Sequence, residues 1–237
     1  MIWSREEDQA HDFYRPISQC KLSAGLDAEG NLTGLHVRVS GQSINAMLNP
    51  KGIVDGKDPL EFRRALMGGH PKHLAVLNAA AEKGDWGKPL PAGVHRGIAQ
   101  FMGYGSYSAA VAEVSVSDRG QLKVHRTVLA LNCGHAVNPD QIAAQVEGSV
   151  AYGLTATLYG ECSVENGRMV ESNFHNYPIM RLAEMPKVET VIVPSYDFWG
   201  GVGEPTISVV APSVMNAIYA ATGKPVRSLP LKKLTLV

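Results

Sequence analysis

The stretch AVAEVSVSDRGQLKVHRTVLALN, residues 110–132, decides the fold because it joins two β-rich runs through a short turn. The runs are Ala110–Ser117, which is rich in valine and alanine, and Leu122–Asn132, which is rich in leucine and valine. Asp118-Arg119-Gly120 between them is a typical hairpin signal, since glycine adopts φ > 0 without steric cost. We therefore predict two antiparallel strands, in a region that has a sheet-like pattern from Arg96 onward.

A long helix is predicted directly after this hairpin. Asn138-Pro139-Asp140 is a helix start, and the helix is expected to cover about residues 141–159. Its apolar side chains recur every four residues along one stripe, namely Ile142, Val146, Val150, Leu154 and Leu158. Small residues on the same helix predict that a neighbouring element packs very close to it: Gly148, Ser149, Gly153 and Thr155.

The residues before the sheet predict a hairpin and two helices. Lys21–Leu26 and Leu32–Val39 alternate well enough for strands on either side of a turn. Asp58 followed by a proline begins a helix that runs through Leu66, because aspartate is a good N-cap and proline suits the first helical position. A second helix is expected at His73–Lys83.

Proline and glycine in residues 85–93 indicate a connector and the best internal boundary. We predict a hairpin and helical part at 1–84, shortened relative to the family described below, and a second domain at 94–237. Strands and helices alternate without regular βαβ spacing, which favours an α+β fold of mixed sheets with packed helices. The later elements are predicted to be a hairpin at 162–170, a buried strand at 188–193 and a helix at 213–222.

Composition excludes several classes of function. The chain has 237 residues, and 22 Lys plus Arg balance 22 Asp plus Glu, so no charge excess favours a nucleic-acid partner. Its 3 cysteines are far apart, which argues against a disulfide scaffold, a zinc site or an iron–sulfur site. No apolar run is long enough for a membrane span, and the start has no signal region. We expect a cytoplasmic location, or a periplasmic one if a partner carries the chain there.

The turn Gly200-Gly201-Val202-Gly203-Glu204-Pro205 is the strongest candidate site. Three glycines allow backbone to come close to a bound group, and Pro205 stiffens the segment that carries the Glu204 carboxylate. The alternative is a tight turn with a solvated glutamate. Other motifs are weaker: Gly103-Tyr104-Gly105-Ser106 has no P-loop lysine after it, no histidine pair has helical metal spacing, and no GxSxG elbow is present.

Ordered motifs extend the case for a function. They are WSREED at 3–8, FYRP at 13–16, VNPDQ at 137–141, AQVEG at 144–148, YGL at 152–154, YGE at 159–161, SNFHNY at 172–177, GVGEP at 201–205, APSVMNAI at 211–218 and TGKPVRSLP at 222–230. This order resembles the later part of the large, molybdopterin-binding subunit of the xanthine oxidase and aldehyde oxidase family of molybdenum hydroxylases. The isoquinoline 1-oxidoreductase β-subunit branch is the most similar.

The resemblance implies a role for each site residue. Glu204 matches the general base of the family, which activates a water-derived hydroxyl for attack on an aldehyde or N-heteroaromatic carbon. Gln145 matches a glutamine that contacts the pterin, although a helix-surface amide is the alternative. Gly201 and Gly203 let the backbone approach the cofactor, and Gly105 and Ser106 are expected to line its dinucleotide part. The implied cofactor is molybdenum-molybdopterin, in the cytosine dinucleotide form.

The departures from the family are also informative. The resemblance reaches only the later part of the large subunit, so we expect an N-terminal half-subunit and an iron–sulfur small subunit as partners. Asn132 stands where relatives place an aspartate before Cys-Gly. A cofactor site without half of its walls should bind weakly. Two hypotheses follow: a fragment or truncated paralogue of a molybdenum hydroxylase that is inactive alone, or a non-catalytic, cofactor-free scaffold.

Overall fold

The computed structural model describes residues 57–166, 168–231 and 236, the turn residues 28 and 29, and the backbone of 19–26 and 32–40. Its elements follow one another as β1 (Gln19–Leu26), β2 (Leu32–Ser40), α1 (Pro59–Leu66), α2 (Pro71–Lys83), β3 (Val94–Gly103), β4 (Ser106–Val116), β5 (Leu122–Asn132), α3 (Pro139–Leu158), β6 (Val164–Glu165), β7 (Arg168–Met169), a 3₁₀ turn (Leu182–Glu184), β8 (Lys187–Ile192) and α4 (Ile207–Thr222).

The central sheet has the order β3-β4-β5-β8. The hairpin predicted from residues 110–132 is its middle: β4 and β5 pair antiparallel, with Ala110 opposite Leu129. β8 pairs with β5 in parallel. A parallel pair needs a crossover connection, and α3 provides it. The fold is therefore α+β with a mixed sheet and packed helices, as the sequence predicts.

Helices cover both faces of this sheet because side chains alternate along each strand. On β4, Ala110, Ala112 and Val114 belong to a buried cluster with the stripe of α3 and with α4. Ala109 and Val111, which point to the opposite face, pack with Leu77 and its neighbours from α1 and α2. The second cluster includes residues from both sides of the connector 85–93, so the two parts of the chain share buried contacts. The division into two domains stays a prediction.

Most predicted elements are present, with two corrections. The predicted strand at 188–193 is β8, but it is half-buried at the edge of the sheet rather than buried. The last helix begins at Ile207, six residues earlier than predicted, and contains Pro212 in its second turn. Proline near a helix start removes few backbone hydrogen bonds, so its cost to the helix is small. Apolar packing of the helix on β3 and β4 outweighs that cost, and the helix continues past Pro212.

The close approach predicted for α3 occurs at Gly153 but not at Gly148. A Cβ on Gly153 would lie 2.7 Å from Cβ of Val210 in α4, whereas one on Gly148 would have no neighbour within 4 Å. The neighbouring element of the prediction is therefore α4.

We expect the two alanine substitutions on this helix to have opposite effects. Gly148→Ala should raise the free energy of unfolding by about 0.5–1 kcal/mol through helix propensity. Gly153→Ala gains the same propensity but pushes α4 away, and it should lower that free energy by about 1–2 kcal/mol. Urea unfolding of both variants followed by circular dichroism tests this, and equal shifts would contradict the packing described.

An ion-pair network covers the end of the sheet away from the candidate turn. Arg126 contacts Glu189 at 2.7 Å and Glu113 at 3.5 Å, and Arg96 contacts Glu113 at 2.9 Å. These four side chains are at most 17% exposed. The hydrogen bond from Arg126, followed by that from Lys187, lowers the pKa of Glu189 to about 2.

This network predicts an acid-dependent stability. Because the folded pKa of Glu189 lies below the ordinary value of about 4.3, the carboxylate stabilises the fold at neutral pH, and this contribution is lost as pH falls towards 2. We expect Glu189→Gln to lower the free energy of unfolding by about 1 kcal/mol near pH 6, since solvent partly screens the pair, and by almost nothing near pH 2. Urea titrations at both pH values test this; an equal difference at both would contradict it.

Candidate functional site

Three loops meet at one end of the sheet. The register pairs Gly103 with Ser106 and Tyr107 with Asn132, and it pairs Leu131 with Ile192. The β3–β4 turn and the loops that follow β5 and β8 therefore leave the sheet at the same end. The loop after β8 contains the glycine turn of residues 200–205 and leads into α4.

The glycine turn packs directly on the β3–β4 turn. The amide of Gly201 donates to the carbonyl of Tyr104 at 2.8 Å, and the Ser106 hydroxyl donates to the carbonyl of Gly201 at 2.7 Å. A Cβ on Gly200 would overlap Ser106 Oγ and lie 2.5 Å from the carbonyl oxygen of Gly105. Glycine at 200 is therefore required because its backbone packs against Gly105 and Ser106 of the β3–β4 turn. From the sequence, we expected the glycines to allow contact with a bound group instead.

The loop after β5 anchors the segment before the glycine turn. The amide of Gly200 donates to the carbonyl of Cys133 at 2.9 Å, and that of Ser195 donates to the carbonyl of Gly134 at 3.1 Å. Asn132, which is buried, accepts from the amide of Gly134 at 3.0 Å, and its Oδ1 also lies 3.0 Å from the Ser195 hydroxyl oxygen. The side chain of Asn132 therefore closes the turn at Gly134 and connects the two loops.

A charged pair ties the same loop to α2. Lys72 donates to Asp197, and the Ser195 hydroxyl lies 2.5 Å from the other Asp197 oxygen. The hydrogen bond from Lys72, followed by that from Ser195, lowers the pKa of Asp197. The same contact raises the pKa of Lys72. Both groups are charged at neutral pH and form an ion pair. The loop before the glycine turn is therefore attached both to α2, through Lys72, and to the loop after β5.

Buried hydroxyls hold the end of the turn where α4 begins. Ser108 of β4 donates to the carbonyl of Pro205 at 3.1 Å. Thr206 donates to Ser149 of α3 at 2.7 Å, and Ser149 donates to the carbonyl of Val146. All three hydroxyl side chains are fully or almost fully buried. The sequence analysis missed Ser108 and Thr206, and it counted Ser149 only as a small residue. The position of these hydroxyl residues within apolar segments was the one signal that could have indicated buried hydrogen bonds.

The structure brings the predicted site residues into one region. Glu204 is exposed at the residue before Pro205, and Gln145 is exposed on α3. A Cβ on Gly203 would lie 3.7 Å from Oε1 of Gln145, so the turn faces that amide. Gly105 and Ser106 contact Gly200 and Gly201 on the other side, although no contact joins them to Gln145. The Ser106 hydroxyl is buried and donates to the carbonyl of Gly201, so it is not available to a cofactor. Any cofactor contact of Ser106 would have to come from its backbone.

The site is open on this chain. Gln145, Gly201, Gly203 and Glu204 are all exposed to solvent. Within the described ranges, no three His, Cys, Asp or Glu side chains form a cluster that could hold a metal. No helix in the same ranges is long and apolar enough to cross a membrane.

A family described as "Molybdopterin cofactor-binding domain" matches residues 79–186. This range includes the β3–β4 turn and Gln145 but not Glu204. The chain is a molybdopterin-binding part of the xanthine oxidase family of molybdenum hydroxylases.

Two curated relatives illustrate the membership. The chain is 33% identical over 180 residues to isoquinoline 1-oxidoreductase subunit beta of Brevundimonas diminuta. The aligned region covers 74% of this chain and 23% of that protein. The chain is 31% identical over 196 residues to a membrane-bound aldehyde dehydrogenase of Gluconacetobacter polyoxogenes, covering 74% and 25%. The name of the second relative includes pyrroloquinoline quinone, a different cofactor. The chain spans about a quarter of the length of these two proteins.

Solved structures with similar parts include the aldehyde oxidoreductase from Desulfovibrio desulfuricans. It is 25% identical over a region that covers 54% of this chain and 15% of that chain, with a TM-score of 0.47. Quinoline 2-oxidoreductase from Pseudomonas putida 86 is 20% identical over 50% of this chain and 16% of that chain, with a TM-score of 0.45.

Proposed function

We propose that this chain supplies the catalytic base and one wall of the cofactor site of a molybdenum hydroxylase. The reaction would add a water-derived hydroxyl to the carbon of an aldehyde or an N-heteroaromatic ring. The observation that carries the proposal is the position of Gln145 beside Gly203, with Glu204 as the next residue in the chain. A potential cofactor contact and a potential base are thus neighbours on one surface.

The residues present are compatible with a pterin. The amide of Gln145 offers a donor and an acceptor, and a pterin edge carries both kinds of group. Gly203 adds no side chain to the space in front of that amide. When bound, the molybdenum cofactor would activate water and accept the reducing equivalents taken from the substrate. Gln145 would hold its pterin, and Gly201 and Gly203 would let the pterin approach the backbone. The backbone at Gly105 and Ser106 would hold its dinucleotide, for which we propose cytosine.

Glu204 would take up the proton released from the attacking water. A general base must lie within hydrogen-bond reach of that proton, so its backbone has to be fixed. The structure supports this role because Ser108 holds Pro205 and Ser149 holds Thr206, the two residues that follow Glu204. Gly201, on the other side, is held at both its amide and its carbonyl. The base would therefore work from a rigid turn rather than from a mobile loop.

Electrons would leave through a partner. We propose an iron–sulfur small subunit as the acceptor, consistent with relatives that are named as subunits.

Isotope labelling tests the reaction class. The protein, purified with its associated chains, is incubated in ¹⁸O-labelled water with an aldehyde or an N-heteroaromatic compound and an artificial electron acceptor. We expect ¹⁸O in the hydroxylated product. Product oxygen that comes from O₂ would contradict the proposal. Absence of any turnover in the assembled protein would favour the cofactor-free scaffold.

A further inference from the structure

Three contacts join α3 to the segment 203–210, and they follow the same order along both. The α3 residues are spaced four apart and therefore form one row along the helix: Gln145, Ser149 and Gly153. Their partners, in the same order, are Gly203, Thr206 and Val210. The first contact belongs to the candidate site, and the third is the close packing of the two helices. The contact between Ser149 and Thr206 lies between them.

This middle contact is a hydrogen bond between buried residues, which we call the hydroxyl pair. Thr206 donates to Oγ of Ser149 at 2.7 Å, and the two residues are 0% and 2% exposed. Ser149 donates to the carbonyl of Val146 at 2.7 Å, so its oxygen is oriented to accept from Thr206. A hydrogen bond requires a defined distance and angle, whereas apolar packing is non-directional. The hydroxyl pair therefore defines the register of the segment 203–210 on α3.

Thr206 makes this bond at a position where threonine usually caps its own helix. An N-cap threonine normally accepts from an amide in the first turn of the helix that follows. Here the backbone of Thr206 is already helical, with φ −75° and ψ −22°, and its side chain makes no capping bond to the described first turn of α4. The hydroxyl is directed to α3 instead, so capping of α4 does not explain the threonine.

The hydroxyl pair is also linked to the backbone of Glu204. The amide of Ile207 donates to the carbonyl of Glu204 at 3.1 Å, which closes a turn that includes Thr206. A shift of Thr206 along α3 would therefore move Glu204 relative to Gln145. Catalysis is sensitive to such shifts, since a misplacement of about 1 Å can reduce the rate by about 10²-fold.

We infer that Ser149 and Thr206 are positioning residues that set the distance between Gln145 and Glu204. Their hydroxyls are buried and bonded to the protein, so they act by holding the glycine turn in one register on α3. The effect on turnover rests on the proposed function. The register is a property of the chain itself, and it can be measured without a cofactor.

Hydrogen exchange of single amides in the full chain tests the register. Thr206→Val and Ser149→Ala each remove the bond with little change in shape, and Thr206→Ser keeps it. The reporter is the amide of Ile207, which donates to the carbonyl of Glu204. Relative to amides of β4 and β5, it should exchange about tenfold faster in the first two variants, the usual effect of one buried hydrogen bond. In Thr206→Ser it should exchange as in the wild type.

Two matched substitutions control for the loss of a buried hydroxyl. Thr157 of α3 donates to the carbonyl of Gly153 at 2.6 Å, and Ser213 of α4 donates to that of Val210 at 2.8 Å. Both are buried, and both bonds lie within one helix. Thr157→Val and Ser213→Ala should therefore leave the relative exchange of the Ile207 amide unchanged. Equal relative exchange in the wild type and all variants would overturn the positioning role.

Steady-state kinetics of the protein with its associated chains tests the consequence. We expect kcat to fall about 10- to 100-fold in Thr206→Val and Ser149→Ala, with KM nearly unchanged, and to recover in Thr206→Ser. The double variant should be about as slow as either single variant, because both remove the same bond. The two control variants should turn over like the wild type.

The possible results separate the two proposals. Normal turnover in Thr206→Val and Ser149→Ala, despite faster exchange, would overturn the positioning role. A wild type without molybdenum or turnover would refute the proposed function, and hydrogen exchange would still decide whether the hydroxyl pair sets the register.

Discussion

Replacing Glu204 by glutamine is expected to reduce hydroxylation by about 10²- to 10⁴-fold, the usual contribution of a positioned general base. Glutamine keeps the size of the side chain and one acceptor oxygen, but it replaces the other oxygen by an NH₂ donor and cannot take up a proton near neutral pH. Because Glu204 is exposed on this chain, the substitution should leave the free energy of unfolding almost unchanged. Steady-state kinetics of the protein with its associated chains measures the effect.

A matched substitution separates the base from a general effect of lost charge. Glu82→Gln makes the same chemical change on an exposed glutamate of α2, outside the candidate site. It should leave turnover unaltered. Equal turnover in the Glu204 variant and the wild type would show that this carboxylate is not the base, and it would favour the scaffold function.

Replacing Gly97 by alanine is expected to have the largest effect on stability. A Cβ at this position of β3 would overlap the amide nitrogen of Ala217 and the carbonyl oxygen of Ser213, and it would lie 2.7 Å from the carbonyl carbon of Asn216. All three are backbone atoms of α4, so no side-chain rotation relieves the overlap. We expect the free energy of unfolding to fall by about 3 kcal/mol or more, at the upper end of overpacking effects.

Gly68→Ala is the control for this prediction. A Cβ on Gly68 would have no neighbour within 4 Å, and the change should alter stability by less than about 0.5 kcal/mol. Urea unfolding at equilibrium compares the two variants. A Gly97 variant within 1 kcal/mol of the wild type would show that α4 does not pack on β3 as described.

The regular elements were largely predictable because local signals and tertiary packing agree. Asp58 accepts from the amides of Leu60 and Glu61 at 2.9 and 3.0 Å, as expected of an N-cap, and Asn138 accepts from Gln141 at 3.1 Å. The start of α4 was not predictable, because Pro212 is a local signal against helix that burial on the sheet overrides. The position of β8 at the edge of the sheet could not be predicted either, because an apolar composition does not distinguish an edge strand from a central strand.

Less of the candidate site could be predicted. The glycine spacing singled out residues 200–205, but it did not show that Gly200 is needed for contact with Gly105 and Ser106. The attachment through Ser108 links residues that are 97 positions apart, and no local pattern predicts such a pair. The closeness of Gly203 to Gln145 likewise depends on how α3 and α4 pack together.

We propose that the surface formed by Gln145 and the glycine turn binds the molybdenum cofactor. Metal analysis and pterin assay of the protein purified with its associated chains test this binding most directly. We expect stoichiometric molybdenum and pterin in the wild type, and less of both in a Gln145→Ala variant of unchanged thermal stability. A protein that carries pyrroloquinoline quinone in their place, or no cofactor in the presence of its partner chains, would contradict it.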